Sequence, residues 1–271
     1  MHTSIDPIIT VRGLTCAYGA IPVLRDVSFD VAPGEVFVVI GRSGCGKSTL
    51  LKHMIGLIKP VAGSISLAGR DIVLAMGDER LEILKGIGVM YQGGALFGSM
   101  TVAQNVGLPL EEYTDLPDEA VEAVSRVKLA FVGLERFGDV MPSELSGGMV
   151  KRAAIARAMA LDPAILFLDE PSAGLDPVTS AELDRVIRSL AETLGITFVI
   201  VSHELPSILS IADRVILLDD KAKGIVAEGD PREMHAKSAD ARVRRFFDRE
   251  ARVPSPAASA ETAPNTSEAR P

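Results

Sequence analysis

The chain reads Gly41-Arg42-Ser43-Gly44-Cys45-Gly46-Lys47-Ser48-Thr49 between an apolar segment and a stretch with helical spacing. The apolar segment, residues 36–40, is rich in β-branched side chains and predicts a buried parallel strand. After the glycines, apolar residues recur at helical spacing between Leu50 and Ile55. A strand, a glycine turn and a helix start form the context that the phosphate-binding pattern G-x-x-x-x-G-K-[ST] requires. The stretch therefore predicts a binding site for a nucleoside triphosphate.

Each part of this loop has a chemical task. The glycines let backbone N–H groups curl around an anion, and the helix N-terminus adds a dipole that favours negative charge. Lys47 would reach the β- and γ-phosphates, while the Ser48 hydroxyl would ligate Mg²⁺. An accidental glycine-rich turn is the alternative, and the flanking strand and helix argue against it.

Composition and charge narrow the class of protein. The 271 residues are 47% hydrophobic and 24% charged, which suffices for one α/β domain with an inserted subdomain. The formal net charge of −8 argues against a broad nucleic-acid-binding surface. Cys16 and Cys45 form no disulfide framework, and a bridge at Cys45 would obstruct the phosphate loop. We therefore expect reduced thiols in a cytosolic compartment.

The sequence lacks the features of a membrane anchor or a secretory signal. Its apolar runs fall well short of the about 20 residues that a helix needs to cross a bilayer. Residues 1–6 lack a basic stretch followed by an apolar one. If the chain works at a membrane, we expect another polypeptide to supply the span.

Two side chains outside the loop are candidates for contact with the nucleotide. Tyr18 lies in a turn-rich region between short strands predicted at residues 8–15 and 27–31, and could stack on adenine. An aromatic side chain covering a sheet edge explains Tyr18 nearly as well. Gln92 follows the predicted strand 87–91, and ligands bind at the carboxyl ends of such strands. Gln92 is therefore placed like a ligand of magnesium or water, although a loop glutamine alone means little.

Helical periodicity replaces the strand–helix alternation between about residues 101 and 160, which predicts a helical subdomain inserted into the α/β core. One of its helices follows Leu145-Ser146-Gly147-Gly148. Ser146 is a good N-cap, and the two glycines admit a ligand close to the backbone. This helix start is a potential phosphate site, but a simple capped helix is the reading that these residues alone favour.

Two carboxylates end the apolar run 164–168, which predicts a central parallel strand. Asp169 would hold Mg²⁺, directly or through water, and Glu170 would polarise the attacking water. Solvated turn residues are the alternative, which the presence of Lys47 and Ser48 disfavours.

The next buried strand, residues 197–201, ends in Ser202-His203. His203 could donate a hydrogen bond to a γ-phosphate, although a lone histidine at such an edge is more often structural. Between the two strands, residues 173–177 form a further turn that contains Asp176. From Val253 onward the composition is too poor in apolar side chains to fold alone.

Jointly, these motifs resemble the nucleotide-binding subunit of an ATP-binding cassette (ABC) transporter over residues 8–230. Tyr18 is similar to the adenine-stacking aromatic, residues 41–49 to the Walker A loop and Gln92 to the Q-loop glutamine. Residues 145–148 resemble the signature motif and residues 165–169 Walker B, followed by the catalytic Glu170. Residues 173–176 resemble the D-loop, and His203 the switch histidine.

The resemblance implies a P-loop NTPase fold of class α/β, with an antiparallel β subdomain and a helical subdomain inserted at about residues 98–162. It implies ATP and Mg²⁺ as cofactors, with Ser48, Gln92 and Asp169 around the metal. Glu170, His203 and Gln92 would act in catalysis. Nucleotide contacts would come from Tyr18, the residues Gly41, Ser43, Gly44, Cys45, Gly46, Lys47, Ser48 and Thr49 of the loop, and Ser146, Gly147, Gly148 and Asp176.

A dimeric mechanism follows from the same resemblance. Two copies would pack head to tail, with each ATP between one phosphate loop and the signature motif of the second copy. Closure on ATP binding and reopening on hydrolysis would move a membrane partner through the helical subdomain. The glycine-flanked helix start would aim its dipole at the γ-phosphate across the interface.

Four further segments resemble the ATPase of the Mla phospholipid transport system, namely residues 92–97, 141–149, 209–213 and 241–248. Met149 replaces the glutamine common after the signature glycines, which puts a ribose contact in doubt. The resemblance implies transport of phospholipid between inner and outer membranes, at the cytoplasmic face of the inner membrane. It implies an integral membrane permease, a periplasm-facing lipid-binding subunit and a small cytosolic STAS-domain protein as partners, and no nucleic acid.

Two other functions remain open at this stage. The catalytic motifs are shared across cargo classes, so an ATPase of a small-molecule importer is the first alternative. A soluble ABC ATPase acting on DNA or ribosomes is disfavoured, because the chain is acidic and has neither a long coiled coil nor a second cassette. We expect one ABC domain over residues 1–250 and a disordered tail over residues 251–271.

Overall fold

The computed structural model describes residues 6–19 and 21–250 of the chain, so the tail predicted for residues 251–271 lies outside the described residues. Within these limits the chain forms two sheets and a set of α-helices. The strands are β1 Ile9–Tyr18, β2 Ile21–Val31, β3 Val36–Gly41, β4 Ala62–Leu67, β5 Arg70–Asp71, β6 Ile87–Met90, β7 Ile165–Asp169, β8 Thr197–Val201, β9 Arg214–Asp219 and β10 Gly224–Gly229. The α-helices are α1 Lys47–Met54, α2 Gly77–Lys85, α3 Val102–Tyr113, α4 Asp118–Phe131, α5 Gly147–Ala158, α6 Pro177–Leu194, α7 Leu205–Ile211, α8 Pro231–Lys237 and α9 Ala241–Glu250.

The smaller sheet is antiparallel, with strand order β2-β1-β4-β5. Its register shifts where β4 crosses β1 between Arg12 and Thr15. Gly63 lies at this shift with φ +91°, and an added Cβ would stand 2.5 Å from the Arg12 carbonyl oxygen. Only glycine fits such a close approach of two backbones. The sheet is the antiparallel β subdomain that the sequence predicts.

The larger sheet has the order β10-β9-β3-β8-β7-β6, and all its pairs are parallel except the edge pair of β9 with β10. Its strand β3 is buried along its whole length. Val36, Val38 and Ile40 enter one hydrophobic core, while Phe37 and Val39 enter the core on the other face. A strand that feeds two cores reads as a continuous apolar run, and this is the reason that β3 was predictable.

A helical subdomain is inserted between β6 and β7 and consists mainly of α3, α4 and α5. Its first helix, α3, begins at a capping box. The Thr101 hydroxyl accepts from the Gln104 backbone N–H, and the Gln104 side-chain oxygen accepts from the Thr101 backbone N–H. The fully buried Asn105 donates to carbonyls at Phe97 and Met100 and fastens the preceding loop. The prediction of an inserted helical subdomain is thereby confirmed.

No helix among the described residues is long and apolar enough to span a membrane. The larger sheet places the carboxyl ends of β3, β6, β7 and β8 at one edge, since these strands run parallel. The predicted site residues follow those strand ends, and this edge is where the candidate site lies.

Candidate active site

The phosphate loop joins β3 to α1, and its glycines adopt backbone conformations that other residues rarely take. Gly44 has φ +81° and Gly46 has φ +108°. At Gly46 an added Cβ would also stand 2.9 Å from the Val23 side chain. Gly46 is the N-cap of α1 and offers no side chain to cap the helix. The first N–H groups of α1 are therefore left for an external anion, as a phosphate site requires.

Lys47 lies with its ammonium folded over the loop. Its Nζ donates to the carbonyl oxygens of Gly41 at 2.8 Å and of Arg42 at 3.4 Å. Only 8% of the residue is exposed. The loop thus holds a cation beside the free N–H groups of the helix, and both attract the same anion.

Ser48 and Asp169 meet across the site from two different elements. The Ser48 hydroxyl donates to Asp169 Oδ1 at 3.2 Å, which joins the start of α1 to the end of β7. Burial raises the pKa of Asp169, and the hydrogen bond from Ser48 offsets part of this rise. A cation between these two oxygen groups would relieve the cost of burying the carboxylate.

Glu170 and His203 form a hydrogen-bonded pair at the ends of β7 and β8. The His203 Nδ1–H donates to Glu170 Oε2 at 2.8 Å, and the Glu170 N–H donates to the Val201 carbonyl at 2.9 Å. The carboxylate of Glu170 raises the pKa of His203 by accepting this hydrogen bond, against a smaller opposing effect of burial. The pair presents a carboxylate and an imidazole at the same edge of the sheet.

A cavity of about 550 Å³ lies above the phosphate loop. It is lined by the predicted residues Ser43, Gly44, Gly46, Lys47, Ser48, Thr49, Gln92, Glu170 and His203, and by Val23. A volume of this size is typical of small-molecule sites. The structure therefore brings together side chains from four strand ends that are widely separated in the sequence.

Gln92 lines the cavity just beyond β6, and a side chain of the helical subdomain bonds to its backbone. The Lys151 ammonium, on α5, donates to the Gln92 carbonyl oxygen. Burial lowers the pKa of Lys151, although the carboxylates of Glu170 and Asp169 act in the opposite direction. Lys151 could not be singled out from the sequence, because a lysine on a helix carries no signal of its own.

The residues of the signature motif lie outside this cavity. Ser146 caps α5 by accepting from the Met149 N–H at 3.3 Å. Gly147 and Gly148 face the start of α6 and the residues just before it. An added Cβ would stand 3.5 Å from Leu175 Cδ2 at Gly147 and 2.2 Å from Thr179 Cγ2 at Gly148. Within the described part of one chain, the cavity thus has a phosphate loop without a signature motif beside it.

Asp176 is engaged within its own chain as the N-cap of α6. Its carboxylate accepts from the N–H groups of Val178 at 3.0 Å and Thr179 at 3.1 Å, and from the Thr179 hydroxyl. These bonds lower its pKa, the hydroxyl of Thr179 having the largest effect. A nucleotide contact of Asp176 stays a prediction.

Two residues of the loop, Gly41 and Cys45, do not line the cavity. Gly41 ends β3, and an added Cβ there would stand 2.6 Å from Cys45 Sγ. Cys45 is buried, and burial raises the pKa of its thiol, so its contribution to a nucleotide site is its backbone. Tyr18 ends β1, but its side chain lies outside the described residues, and stacking on adenine stays a prediction.

Val23 is the cavity residue that sequence reasoning missed. It lies on β2, half-buried, with its side chain against Gly46. An apolar residue in a strand gives no sign that it faces a ligand, and only the packing of β2 over the loop reveals it.

Comparison with known proteins identifies the family. The family model described as "ABC transporter" matches residues 24–173. The chain belongs to the ABC transporter family. The intermembrane phospholipid transport system ATP-binding protein MlaF of Escherichia coli K12 is 41% identical over 249 residues, 92% of this chain and 91% of the relative. The MlaF protein of Haemophilus influenzae is 38% identical over 89% of this chain and 90% of its own length.

A second group of relatives carries a different name. The probable ribonucleotide transport ATP-binding protein mkl of Mycobacterium leprae is 41% identical over 88% of this chain and 68% of its own length. Identity alone therefore does not separate the two groups, but the shared length is greater for MlaF.

Solved ABC structures share the fold of this ABC cassette. A structure of cbiO1 from Clostridium perfringens, part of the ABC transporter complex cbiONQ, superposes with a TM-score of 0.79 at 29% identity. The superposition covers 86% of this chain and 92% of the cbiO1 chain. An ATP-binding cassette in a dimeric post-hydrolysis state with ADP and Pi superposes with a TM-score of 0.74 at 30% identity, covering 82% of this chain and 98% of that one. The predicted fold class, a P-loop NTPase of the ABC type, is confirmed.

Proposed function

We propose that this chain is the ATP-hydrolysing subunit of an Mla-type transporter that moves phospholipid between the inner and outer membranes. The observation that carries the proposal is the 41% identity to MlaF along nearly the full length of both chains. The assembled edge of the sheet supplies the chemistry, because it joins a phosphate loop, two carboxylates and a histidine. Maintenance of outer-membrane lipid asymmetry is the physiological role that follows.

The residues at the cavity divide the work of ATP hydrolysis. Lys47 and the N–H groups of residues 43–49 bind the phosphates. Glu170 orients and polarises the attacking water as a general base, and His203 donates a hydrogen bond toward the γ-phosphate. The Glu170–His203 contact of 2.8 Å holds both groups in register before substrate arrives.

The donor set at the cavity fits Mg²⁺. Ser48, Asp169 and Gln92 offer hydroxyl, carboxylate and amide oxygens, the hard donors that Mg²⁺ prefers, and Ser48 already contacts Asp169. Mg²⁺ supplies charge neutralisation on the β- and γ-phosphates when bound. The described residues contain no cluster of three His, Cys, Asp or Glu side chains suited to a metal, which is compatible with a site completed by phosphate oxygens and water.

A second copy of the chain completes the site. The cavity in one chain lacks a signature motif, while Ser146, Gly147 and Gly148 lie away from it. A head-to-tail dimer would bring the N-terminus of α5 of one copy to the γ-phosphate held by the other. The similar cassette solved as a dimer with ADP and Pi supports this arrangement. Tyr18 and Asp176 are proposed as further nucleotide contacts in the closed dimer.

The partners follow from the proposed system. We expect a permease that spans the inner membrane, with this chain held peripherally on its cytoplasmic face. A periplasm-facing lipid-binding subunit and a small cytosolic STAS-domain protein complete the complex, and nucleic acid has no part in it. One ABC domain over residues 1–250, with a helical subdomain at about 98–162, and a disordered tail over residues 251–271 are the proposed boundaries.

Ribonucleotide transport is the second candidate, because the probable ribonucleotide transport ATP-binding protein mkl is as similar in identity as MlaF. The two candidates share the ATPase chemistry and differ in the cargo and in the subunits that bind it.

Affinity purification of the chain from detergent-solubilised native membranes tests the proposal. Co-purification of a permease with a lipid-binding periplasmic subunit and a STAS-domain protein, and bound phospholipid in the extract, is the expected result. A permease with a soluble nucleotide or solute receptor instead would favour the importer. Absence of any membrane protein would leave the ATPase chemistry and refute the transport role.

A further inference from the structure

The segment after β6 lies directly on helix α5, which begins at the signature motif. Gly94 has φ +76°, and an added Cβ would stand 3.2 Å from Val150 Cγ1 and 3.4 Å from Ala154 Cβ. The backbone at Gly94 therefore rests directly against Val150 and Ala154 of the helix. A displacement of the helix cannot leave this segment behind without opening a void.

Two cations on α5 hold the same segment by its carbonyl oxygens. Arg157 donates from Nη2 to Gly94 and from Nη1 to Ala95, both at 2.8 Å. Lys151 donates to the carbonyl of Gln92. Charge-assisted hydrogen bonds are stronger and shorter than neutral ones, so the three bonds clamp the segment to the helix at both ends.

Lys151 has few other ways to satisfy its charge. Only 8% of the residue is exposed, and no carboxylate of the described residues lies within ion-pair distance of its ammonium. The carboxylates of Asp169 and Glu170 face it from the site. A buried cation without a hydrogen-bond acceptor is costly, so the ammonium and the Gln92 carbonyl stay together.

We propose that Lys151 is a positioning residue that couples the signature helix to Gln92. Through it, a shift of Gln92 toward nucleotide in the cavity and a shift of the α5 N-terminus occur as one movement. The inference rests on the proposed ATPase function. Arg157 anchors the far end of the segment, whereas Lys151 acts at the residue that lines the cavity.

The test compares the full-length wild type with three variants, each of which carries a single substitution. Lys151→Met keeps length and burial but removes the charge, and Lys151→Arg restores a donor cation. Lys128→Met is the matched control, because Lys128 is equally buried in the helical subdomain but pairs with Asp162 and does not touch residues 92–95. Each protein is measured for thermal midpoint, KM for ATP, kcat, and hydrogen exchange with and without a non-hydrolysable ATP analogue and Mg²⁺.

We expect Lys151→Met to lower kcat by about tenfold or more while KM changes by less than about threefold. Nucleotide should still protect residues 41–49 from exchange, but protection at residues 145–150 should be lost. Lys151→Arg should recover kcat to within about threefold of the wild type. Lys128→Met should keep kcat within about twofold of the wild type, even if its thermal midpoint falls as much as that of Lys151→Met.

Turnover and protection at residues 145–150 that survive in Lys151→Met would overturn the inference. An equal fall of kcat in Lys151→Met and Lys128→Met, in step with their thermal midpoints, would also overturn it, because it would reduce Lys151 to a structural role. Failure of the proposed function has a different signature, namely a wild-type chain without ATPase activity and without nucleotide protection of residues 41–49.

Discussion

Glu170 adopts φ +50°, a left-handed conformation that is rare outside glycine. Such a conformation costs about 1–2 kcal/mol in a residue with a Cβ. The hydrogen bond from the Glu170 N–H to the Val201 carbonyl and the side-chain contact with His203 hold Glu170 in this conformation. Strained residues that survive in this way cluster at functional sites, because the conformation aims the side chain where the chemistry needs it. At Glu170 it directs the carboxylate into the cavity beside Lys47.

We predict that Glu170→Gln retains ATP binding but loses turnover by about a hundredfold or more, because the amide cannot accept the proton of the attacking water. Lys47 and Ser48 are untouched, so the dissociation constant for ATP should change little. The measurements are equilibrium binding of ATP and steady-state release of phosphate.

Glu204→Gln is the matched control for this prediction. Glu204 Oε1 lies 3.7 Å from His203 Nε2. Glu204→Gln therefore removes one negative charge beside His203, as Glu170→Gln does, but leaves Glu170 in place. We expect its turnover to remain within about twofold of the wild type. An unchanged rate in Glu170→Gln would refute the assignment of Glu170 as the general base.

At the scale of secondary structure, the site was predictable where strands end. Each of β3, β6, β7 and β8 is a short apolar run followed at once by polar residues, and parallel strands bring their carboxyl ends together. Gln92, Asp169, Glu170 and His203 could therefore be placed at one edge from the sequence. Their pairing could not, because the 2.8 Å contact of Glu170 with His203 depends on which strands are neighbours in the sheet.

Other elements were harder to read from the sequence. The structure extends β1 to Tyr18 and begins β2 at Ile21, so the two strands continue through most of the region read as a turn. Backbone pairing of Tyr18 with Ile21 closes a tight hairpin that the glycine and proline near it obscure. Helix α6 was not singled out, although Asp176 at its N-cap, Pro177 at its first position and a left-handed Gly195 mark both ends.

The packing of α6 against α7 buries a carboxyl group that the site does not use. Asp184 on α6 is only 5% exposed and shares a small, mostly apolar space with Ser172, Ser202 and Ser207. Burial raises the pKa of Asp184 to about 6, although the Ser207 hydroxyl offsets part of the effect. Between about pH 4 and pH 6 the folded state therefore binds more protons than the unfolded state, and the free energy of unfolding falls as the pH rises.

We predict that Asp184→Asn raises the free energy of unfolding at pH 8 by up to about 3 kcal/mol, because the variant removes the cost of a buried charge. The gain should shrink as the pH falls through 6 and vanish only below about pH 3, where the wild-type carboxyl is protonated in both the folded and the unfolded state. Denaturant unfolding at pH 4.5 and pH 8 measures it. Glu182→Gln, at an exposed position of the same helix, should change stability little at either pH. A variant that is less stable than the wild type at pH 8 would contradict this account.

At the scale of the whole molecule, two hydrophobic cores pack on the opposite faces of the larger sheet, at whose edge the cavity lies. The final described helix contributes to one of them through Val243, Phe246 and Phe247. His235 of α8 stacks on the Phe247 ring at 5.0 Å between centroids, which ties α9 to α8. In the part of the chain that the structure describes, the apolar core that flanks the larger sheet thus extends through α9.

We predict that removal of residues 253–271 leaves ATP affinity and the thermal midpoint nearly unchanged. This stretch consists mostly of Pro, Ala, Ser, Thr and Glu and has a single branched apolar side chain, Val253, so it cannot bury enough apolar surface to support a core. Equilibrium binding of ATP and thermal melting of the truncated chain provide the measurements.

A longer truncation that removes residues 241–271 is the control. It deletes Phe246 and Phe247 from the core, and loss of a single buried aromatic side chain costs about 3–5 kcal/mol. The longer truncation should therefore fall sharply in thermal midpoint while the shorter one does not. A large drop in ATP affinity on removal of residues 253–271 alone would show that the tail reaches the nucleotide site, because the two cores and the cavity lining would still be intact.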